Sequence, residues 1–171
     1  MVTQQTRKLP DITHLIAGTE LVSIHCHEFT AAYVREIDHN LPRGLESDFR
    51  TETACRAAGD RTHFDIRVSG IIVGNQPQAI GPDPAGELVR AVATFELRYK
   101  LKDPLLSFTE DEMQVFGATN GRYHAWPYLR ESLHTLLNRL GFNGFMLPML
   151  RLEQMLPGGD AEPAHPRLGQ K

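Results

Sequence analysis

The stretch Val89-Arg90-Ala91-Val92-Ala93-Thr94-Phe95-Glu96-Leu97-Arg98-Tyr99-Lys100-Leu101 decides the fold. Its odd positions are all apolar or aromatic, while Arg90, Thr94, Glu96, Arg98 and Lys100 share the other face. A period of two sustained over this length marks a strand with one face on a core and one in water. Working back along the chain, Phe64, Ile66, Val68 and Ile72 form the same pattern after a turn at Ala58-Gly59-Asp60-Arg61. Leu45 to Ala57 alternates as well, with Glu46, Asp48, Arg50, Glu52 and Arg56 on one side. In Leu21 to Ile37 the parity changes: Val22, Ile24 and Cys26 are even, whereas Phe29, Ala31 and Tyr33 are odd. A β-bulge near Glu28 reconciles the two halves of that strand. Asn75 to Gly86 carries Pro77, Gly81, Pro82, Pro84 and Gly86 and reads as a loop. Four strands with short links between the later ones favour an antiparallel sheet.

Beyond Asp103-Pro104 the period becomes helical. Thr109-Glu110-Asp111-Glu112 is a capping box that opens a short helix, which Gly117 to Gly121 is expected to end. Trp126, Leu129, Leu133, Leu136, Leu137 and Leu140 then recur at three- and four-residue spacing, the stripe of a long amphipathic helix. Pro127 is expected in its first turn and Gly141 at its end. Leu147-Pro148-Met149-Leu150 begins an apolar segment that reads as a shorter C-terminal helix. Strands first and helices afterwards give an α+β fold, with a four-stranded antiparallel sheet followed by these helices.

The 171 residues, 41% hydrophobic and 23% charged, suit one domain with a core of its own. Residues 1–11 read as a flexible leader, 12–156 as the folded domain and 157–171, rich in proline and glycine, as a flexible tail. A net charge of −3 and the absence of any basic block disfavour nucleic-acid binding. The polar N-terminus lacks a signal-peptide core, and the longest apolar run, Phe145 to Leu150, is far too short to insert into a membrane. Cys26 and Cys55 alone do not argue for an oxidising compartment, so a cytoplasmic protein is the default expectation.

The chemistry of an active site is sparse. His25-Cys26-His27-Glu28 places two imidazoles on one face of a strand, and His63 or Asp65 is conceivable as a third metal ligand. The simpler reading is a polar strand face. Cys26 and its histidine neighbours point to opposite faces, and Ser132 and His134 do not meet on a helix. Phosphate-loop, dinucleotide and nucleophile-elbow motifs are absent. In contrast, nine of the fifteen residues from Phe142 to Leu156 are Phe, Leu or Met, more than one face of a short surface helix can hold. They serve either as core or subunit interface, or as an adaptable apolar groove in which methionines accommodate varied partners.

The order of elements together with Trp126-Pro127-Tyr128-Leu129-Arg130-Glu131, Leu140-Gly141 and Leu147-Pro148 resembles the SecB protein-export chaperone family over roughly residues 12–156. That family has an aromatic-Pro-Tyr-x-Arg-Glu helix start, a glycine near the helix end and a following apolar segment with prolines. The resemblance implies a homotetramer and an ATP-independent holdase without cofactor, which keeps unfolded polypeptides soluble in apolar grooves. It directs attention to Phe108, Trp126, Phe142, Phe145, Met146, Leu147 and Met149, which flank the main helix where such grooves would lie.

Two departures separate this chain from export-dedicated members. Arg90, Arg98 and Lys100 stand on the polar face of the fourth strand, where those members are acidic, and the tail ends His165-Pro166-Arg167-Leu168-Gly169-Gln170-Lys171. Both count against engagement of the SecA motor. The resemblance implies two alternative clients: preproteins, or the aggregation-prone antitoxin of a toxin–antitoxin pair, as for divergent SecB-like chaperones. The competing reading from another class is a small β-scaffold metalloenzyme using His25, His27 and His63. A third is a plain adaptor for one folded partner.

Overall fold

Alternation in the sequence becomes one antiparallel sheet in the computed structural model, which describes residues 9–34, 46–60, 62–75, 87–142, 145–147 and 149–150. The strands are β1 (Thr19–Tyr33), β2 (Glu46–Ala57), β3 (His63–Asn75) and β4 (Glu87–Leu101), arranged in the order β1-β4-β3-β2. Thus β1 and β2, consecutive in the chain, form the two opposite edges. The expected bulge is present as a register shift between Cys26 and Glu28, and a second lies between Leu21 and Ser23. Through the first shift, Cys26 opposes Phe95 and Phe29 opposes Ala93, so both parities of β1 reach the face that carries the buried row of β4.

A short helix α1 (Thr13–Gly18) precedes β1 and was not foreseen in the alternation. Asp11 Oδ1 accepts from the Thr13 amide at 2.9 Å and from its hydroxyl at 2.6 Å, a local turn that starts the helix. Leu15 anchors it in the core.

The helical half differs from expectation at its junction. Helix α2 (Glu110–Phe116) opens with the reciprocal Thr109–Glu112 capping box, but Gly117 to Gly121 does not end the rod. These residues form a π-helical turn that runs directly into α3 (Arg122–Arg139). The glycines serve close approach rather than termination. A Cβ at Gly117 would lie 2.5 Å from Cys55 Sγ, and one at Gly121 would lie 2.9 Å from Ile66 Cγ2. Pro127 accordingly sits inside the helix rather than in a first turn. Its position is exposed, as is Tyr123 one turn earlier, so solvent can serve the carbonyl that proline leaves without a donor.

Trp126, Leu129, Leu133, Leu136 and Leu137 are buried on the sheet, as the stripe requires, each worth about 1.5–3 kcal/mol by burial. Gly141, with φ +90°, stops the helix. The expected shorter C-terminal helix is not seen in residues 145–147 and 149–150, which form neither helix nor strand; residues 151–156 lie outside the described residues. Of the expected leader (1–11), residues 1–8 lie outside them, as do residues 76–86 of the expected loop and the tail from 157. Asp11 of the leader bonds to Thr13 at the start of α1, and Asn75 of the loop ends β3.

The junction yields a test. Alanine at an ordinary helix position gains up to about 1 kcal/mol over glycine. At Gly117 the contact with Cys55 outweighs this, so Gly117→Ala is expected to lower stability in urea by about 1–2 kcal/mol. Adding Cys55→Ala should recover most of the loss. A Gly117→Ala chain more stable than the parent would contradict the close-approach role.

Candidate functional site

Coverage of the sheet is uneven for a geometric reason. A helix about 10 Å across spans two strands at about 4.8 Å spacing, not four. Helix α3 lies over β4 and reaches β3 and β1 on either side of it; the inner rows of β3 and β4 are buried. On the β2 side, Trp126 reaches Phe49 edge-on at a ring separation of 5.6 Å. Toward β1 the cover is partial: Leu21, Ile24 and Ala31 pack against the core but are only partly buried. Phe29 is 39% exposed there, and Cys26 and Tyr33 are also open. Tyr128 leans over this shelf from α3, its ring 5.7 Å from Phe95, and remains 46% exposed.

Past Gly141 the chain turns back along α3. Phe142 meets Tyr33 at 6.0 Å between ring centroids and packs against Leu88 and Val89. The Tyr33 hydroxyl donates to the Leu140 carbonyl, tying the end of β1 to the end of the helix. The returning strap is then fixed by two side chains of α3. His134 Nδ1 lies 2.6 Å from the Phe145 carbonyl, and Arg130 Nε donates to the Leu147 carbonyl at 2.9 Å. Along the strap the exposure of the side chains alternates. Phe145 and Leu147 are each 1% exposed, while Met146 is 54% and Met149 is 70% exposed. Arg130 carries both sulfurs, with Nη2 to Met146 Sδ at 3.0 Å and Nη1 to Met149 Sδ at 3.3 Å.

The seven residues singled out from the sequence therefore do not form one surface. Met146 and Met149 are exposed and share Arg130, whereas Phe142 is half-buried against Tyr33, Leu88 and Val89. Phe145 and Leu147, expected at a groove, are core in this chain, because alternation turns them inward. Trp126 is buried over Phe49. Phe108 lies apart, with Leu106, Met113, Ala57 and Glu110, around a cleft of about 240 Å³. Sequence reasoning missed Tyr128 and the β1 residues Phe29 and Tyr33. The signal available was two aromatics in phase on a strand whose partner strand is already buried.

The opposite face of the sheet is ionic and internally paired. Asp65, buried in the middle of it, accepts from Arg98 through both oxygens at 2.8 and 3.0 Å and from Arg56 at 3.5 Å. Arg98 beside it holds its carboxyl below the usual carboxylate range. Arg67 pairs with Glu96 at 2.8 Å and Arg90 with Glu87 at 2.6 Å.

Among the described residues, Cys55 and the Tyr99–His124 pair are held in their neutral, unreactive forms. Burial pushes the Cys55 thiol up to about 11, which keeps it protonated and unreactive. Tyr99 Oη and His124 Nδ1 lie 2.8 Å apart, but burial raises the phenol and lowers the imidazole, so both stay neutral. The metal alternative fails on register. His25 opposes Glu96 on β1, whereas His63 opposes Lys100 on β3, two strands away and about 13 Å further along. Among the described residues, no group of three or more His, Cys, Asp or Glu side chains is placed to hold a metal. No helix among them is long and apolar enough to cross a membrane.

No protein-family model matches the chain, and no curated protein matches it. The architecture, a four-stranded antiparallel sheet followed by one joined helical rod, is that of a SecB-like α+β protein. Among solved structures the chain is similar to the Mycobacterium tuberculosis Rv1957 SecB-like chaperone, solved in complex with a ChAD peptide from the Rv1956 HigA1 antitoxin. Identity is 25%, the match covers 80% of this chain and 94% of that one, and the TM-score is 0.64. A Streptococcus agalactiae protein of unknown function matches at 9% identity over 77% of this chain and 97% of that one, with a TM-score of 0.36, too low to carry an argument. The resemblance read from the helix motif thus holds in three dimensions.

The outer face offers a check on its role. Asp65 is ionised more easily in the fold than in the unfolded chain, so its contribution is complete above its unfolded pKa and fades as pH falls through the lower folded value. Asp65→Asn is expected to lower stability by about 1–2 kcal/mol at pH 7. The gap should close in urea titrations run below pH about 3. A gap that widens in acid would contradict the assignment.

Proposed function

We propose that this chain is an ATP-independent chaperone of the holdase kind, which binds unfolded or aggregation-prone polypeptides on apolar surface. The observation that carries this is the pair of partly open apolar surfaces around α3. The shelf of Phe29, Tyr33 and Tyr128, with Phe142 against Tyr33, is one, and the exposed Met146 and Met149 on the strap are the other. Aromatics and flexible thioethers suit varied apolar side chains, and several weak contacts along one extended chain give avidity without sequence specificity. Phe145, Leu147 and Trp126 act from beneath by holding the strap and helix in place. Phe108 belongs to a separate cleft that accepts a further apolar side chain.

The reading is supported by the structural neighbour, a SecB-like chaperone solved with an antitoxin peptide. An aggregation-prone antitoxin is accordingly the favoured client, ahead of preproteins in export. The paired, mixed-sign outer face offers no acidic platform, so engagement of SecA is not part of the proposal. No cofactor, catalytic role or membrane insertion is included; the proposed setting is the cytoplasm. The long open edge of β1 and the uncovered shelf favour a homotetramer, in which part of this surface is shared between copies.

The test uses Met146→Asp with Met149→Asp, both at exposed positions, so that folding is preserved. The double variant is expected to stay folded and tetrameric by sedimentation, and to lose at least about tenfold in suppressing aggregation of a denatured test protein, as two desolvated contacts are removed. A folded, tetrameric variant that protects as well as the parent would place client capture elsewhere. A parent chain that sediments only as monomer at micromolar concentration would overturn the assembly.

A further inference from the structure

We propose that Met146 and Met149 form a paired methionine-oxidation site, with the Arg130 guanidinium as the built receptor for the two sulfoxide oxygens. Both thioethers are more than half exposed, whereas Met113 is buried in the core at 6% exposure. Both sulfurs already lie against one guanidinium, at 3.0 and 3.3 Å from separate nitrogens. The third arm of the same group, Nε, holds the strap backbone at Leu147. A thioether is a weak acceptor, so the two N–H groups facing it are poorly used in the reduced chain. A sulfoxide oxygen is a strong acceptor, and the flexible methionine side chain can turn it onto the same N–H groups without moving the strap.

The chemistry needs a two-electron oxidant of the peroxide class. A sulfur lone pair attacks one oxygen of hydrogen peroxide, the S–O bond forms and the O–O bond breaks. Sulfur is oxidised by two electrons and the peroxide is reduced, and the transferred oxygen's proton leaves with the hydroxide as water. A dithiol-dependent methionine sulfoxide reductase reverses the change, giving disulfide and water.

Sulfoxide at a core methionine ordinarily loosens a fold. Here the outcome has the opposite sign. The modified strap is clamped harder on α3 while its outer surface becomes polar. The consequence for client capture rests on the function proposed above: oxidation would switch the strap surface off reversibly. The modification and the clamp do not depend on that reading.

The experiment treats the full chain with hydrogen peroxide and follows it by peptide mass mapping and amide hydrogen exchange. Met146 and Met149 are expected to gain one oxygen each at least about tenfold faster than Met113, as susceptibility follows exposure. Amides of residues 145–147 and 149–150 should then exchange about fivefold more slowly, the factor expected when a weak acceptor is replaced by a strong one. Arg130→Gln should abolish the slowing. Met146→Leu with Met149→Leu, which keeps apolar volume and removes both sulfurs, should make the strap insensitive to peroxide. The proposal is overturned if strap exchange in the oxidised parent is unchanged or faster, if the slowing survives in either variant, or if Met113 oxidises as quickly. None of these readouts uses a client. Failure of the holdase reading, tested with the aspartate variants, is therefore distinguishable from failure of this one.

Discussion

A mismatch of widths governs this molecule. Four strands make a sheet too broad for one helix, and α3 centres on β4, leaving the β1 side less buried than β3. Everything apolar that follows is a response to the uncovered remainder. Trp126 reaches across to Phe49, the strap folds back to bury Phe145 and Leu147, and the β1 side keeps Phe29 and Tyr33 partly open beneath Tyr128. The seating of the rod is set at the π-helical turn, where Gly117 and Gly121 bring the backbone against Cys55 and Ile66. A bulkier junction would lift the helix, and with it both the shelf and the strap.

A surface of this kind needs a counterweight, because exposed apolar area invites self-association. The opposite face of the sheet supplies it through the Arg56–Asp65–Arg98 and Arg67–Glu96 pairs, which keep that side hydrated and its charges satisfied. The more open Arg67–Glu96 pair contributes little stability by itself, whereas both pairs of Asp65 close on a buried carboxylate. Their effect is to give the sheet one partly open apolar face and one ionic, internally paired face. On the function proposed above, that division separates capture of a chain from indiscriminate aggregation.

Much of the fold was legible because its signals are local. The β4 alternation, the bulge near Glu28, the Thr109–Glu112 capping box and the stop at Gly141 each follow from the conformational limits of a few residues. The misreadings share a cause: they depend on partners distant in sequence. Gly117 to Gly121 looks like a helix end until Cys55 and Ile66 arrive beneath it, and Pro127 looks like a helix start for the same reason. The apolar density from Phe142 onward indicated a segment with too many large side chains for one face. Only the folded strap, pinned by Arg130 and His134, sorts Phe145 and Leu147 inward from Met146 and Met149 outward. The histidines of β1 and β3 looked close by type, yet register keeps them apart.

The central claim is that unfolded polypeptide is captured on the side of the sheet that carries α3. Amide hydrogen exchange of the full chain, with and without a permanently unfolded polypeptide, tests it most directly. The account expects new protection in β1 from Ile24 to Tyr33 and in the strap at residues 145–150, with β2 and the α2 cap unchanged. Protection confined to β2, or no change along β1 and the strap at saturating polypeptide, would contradict it.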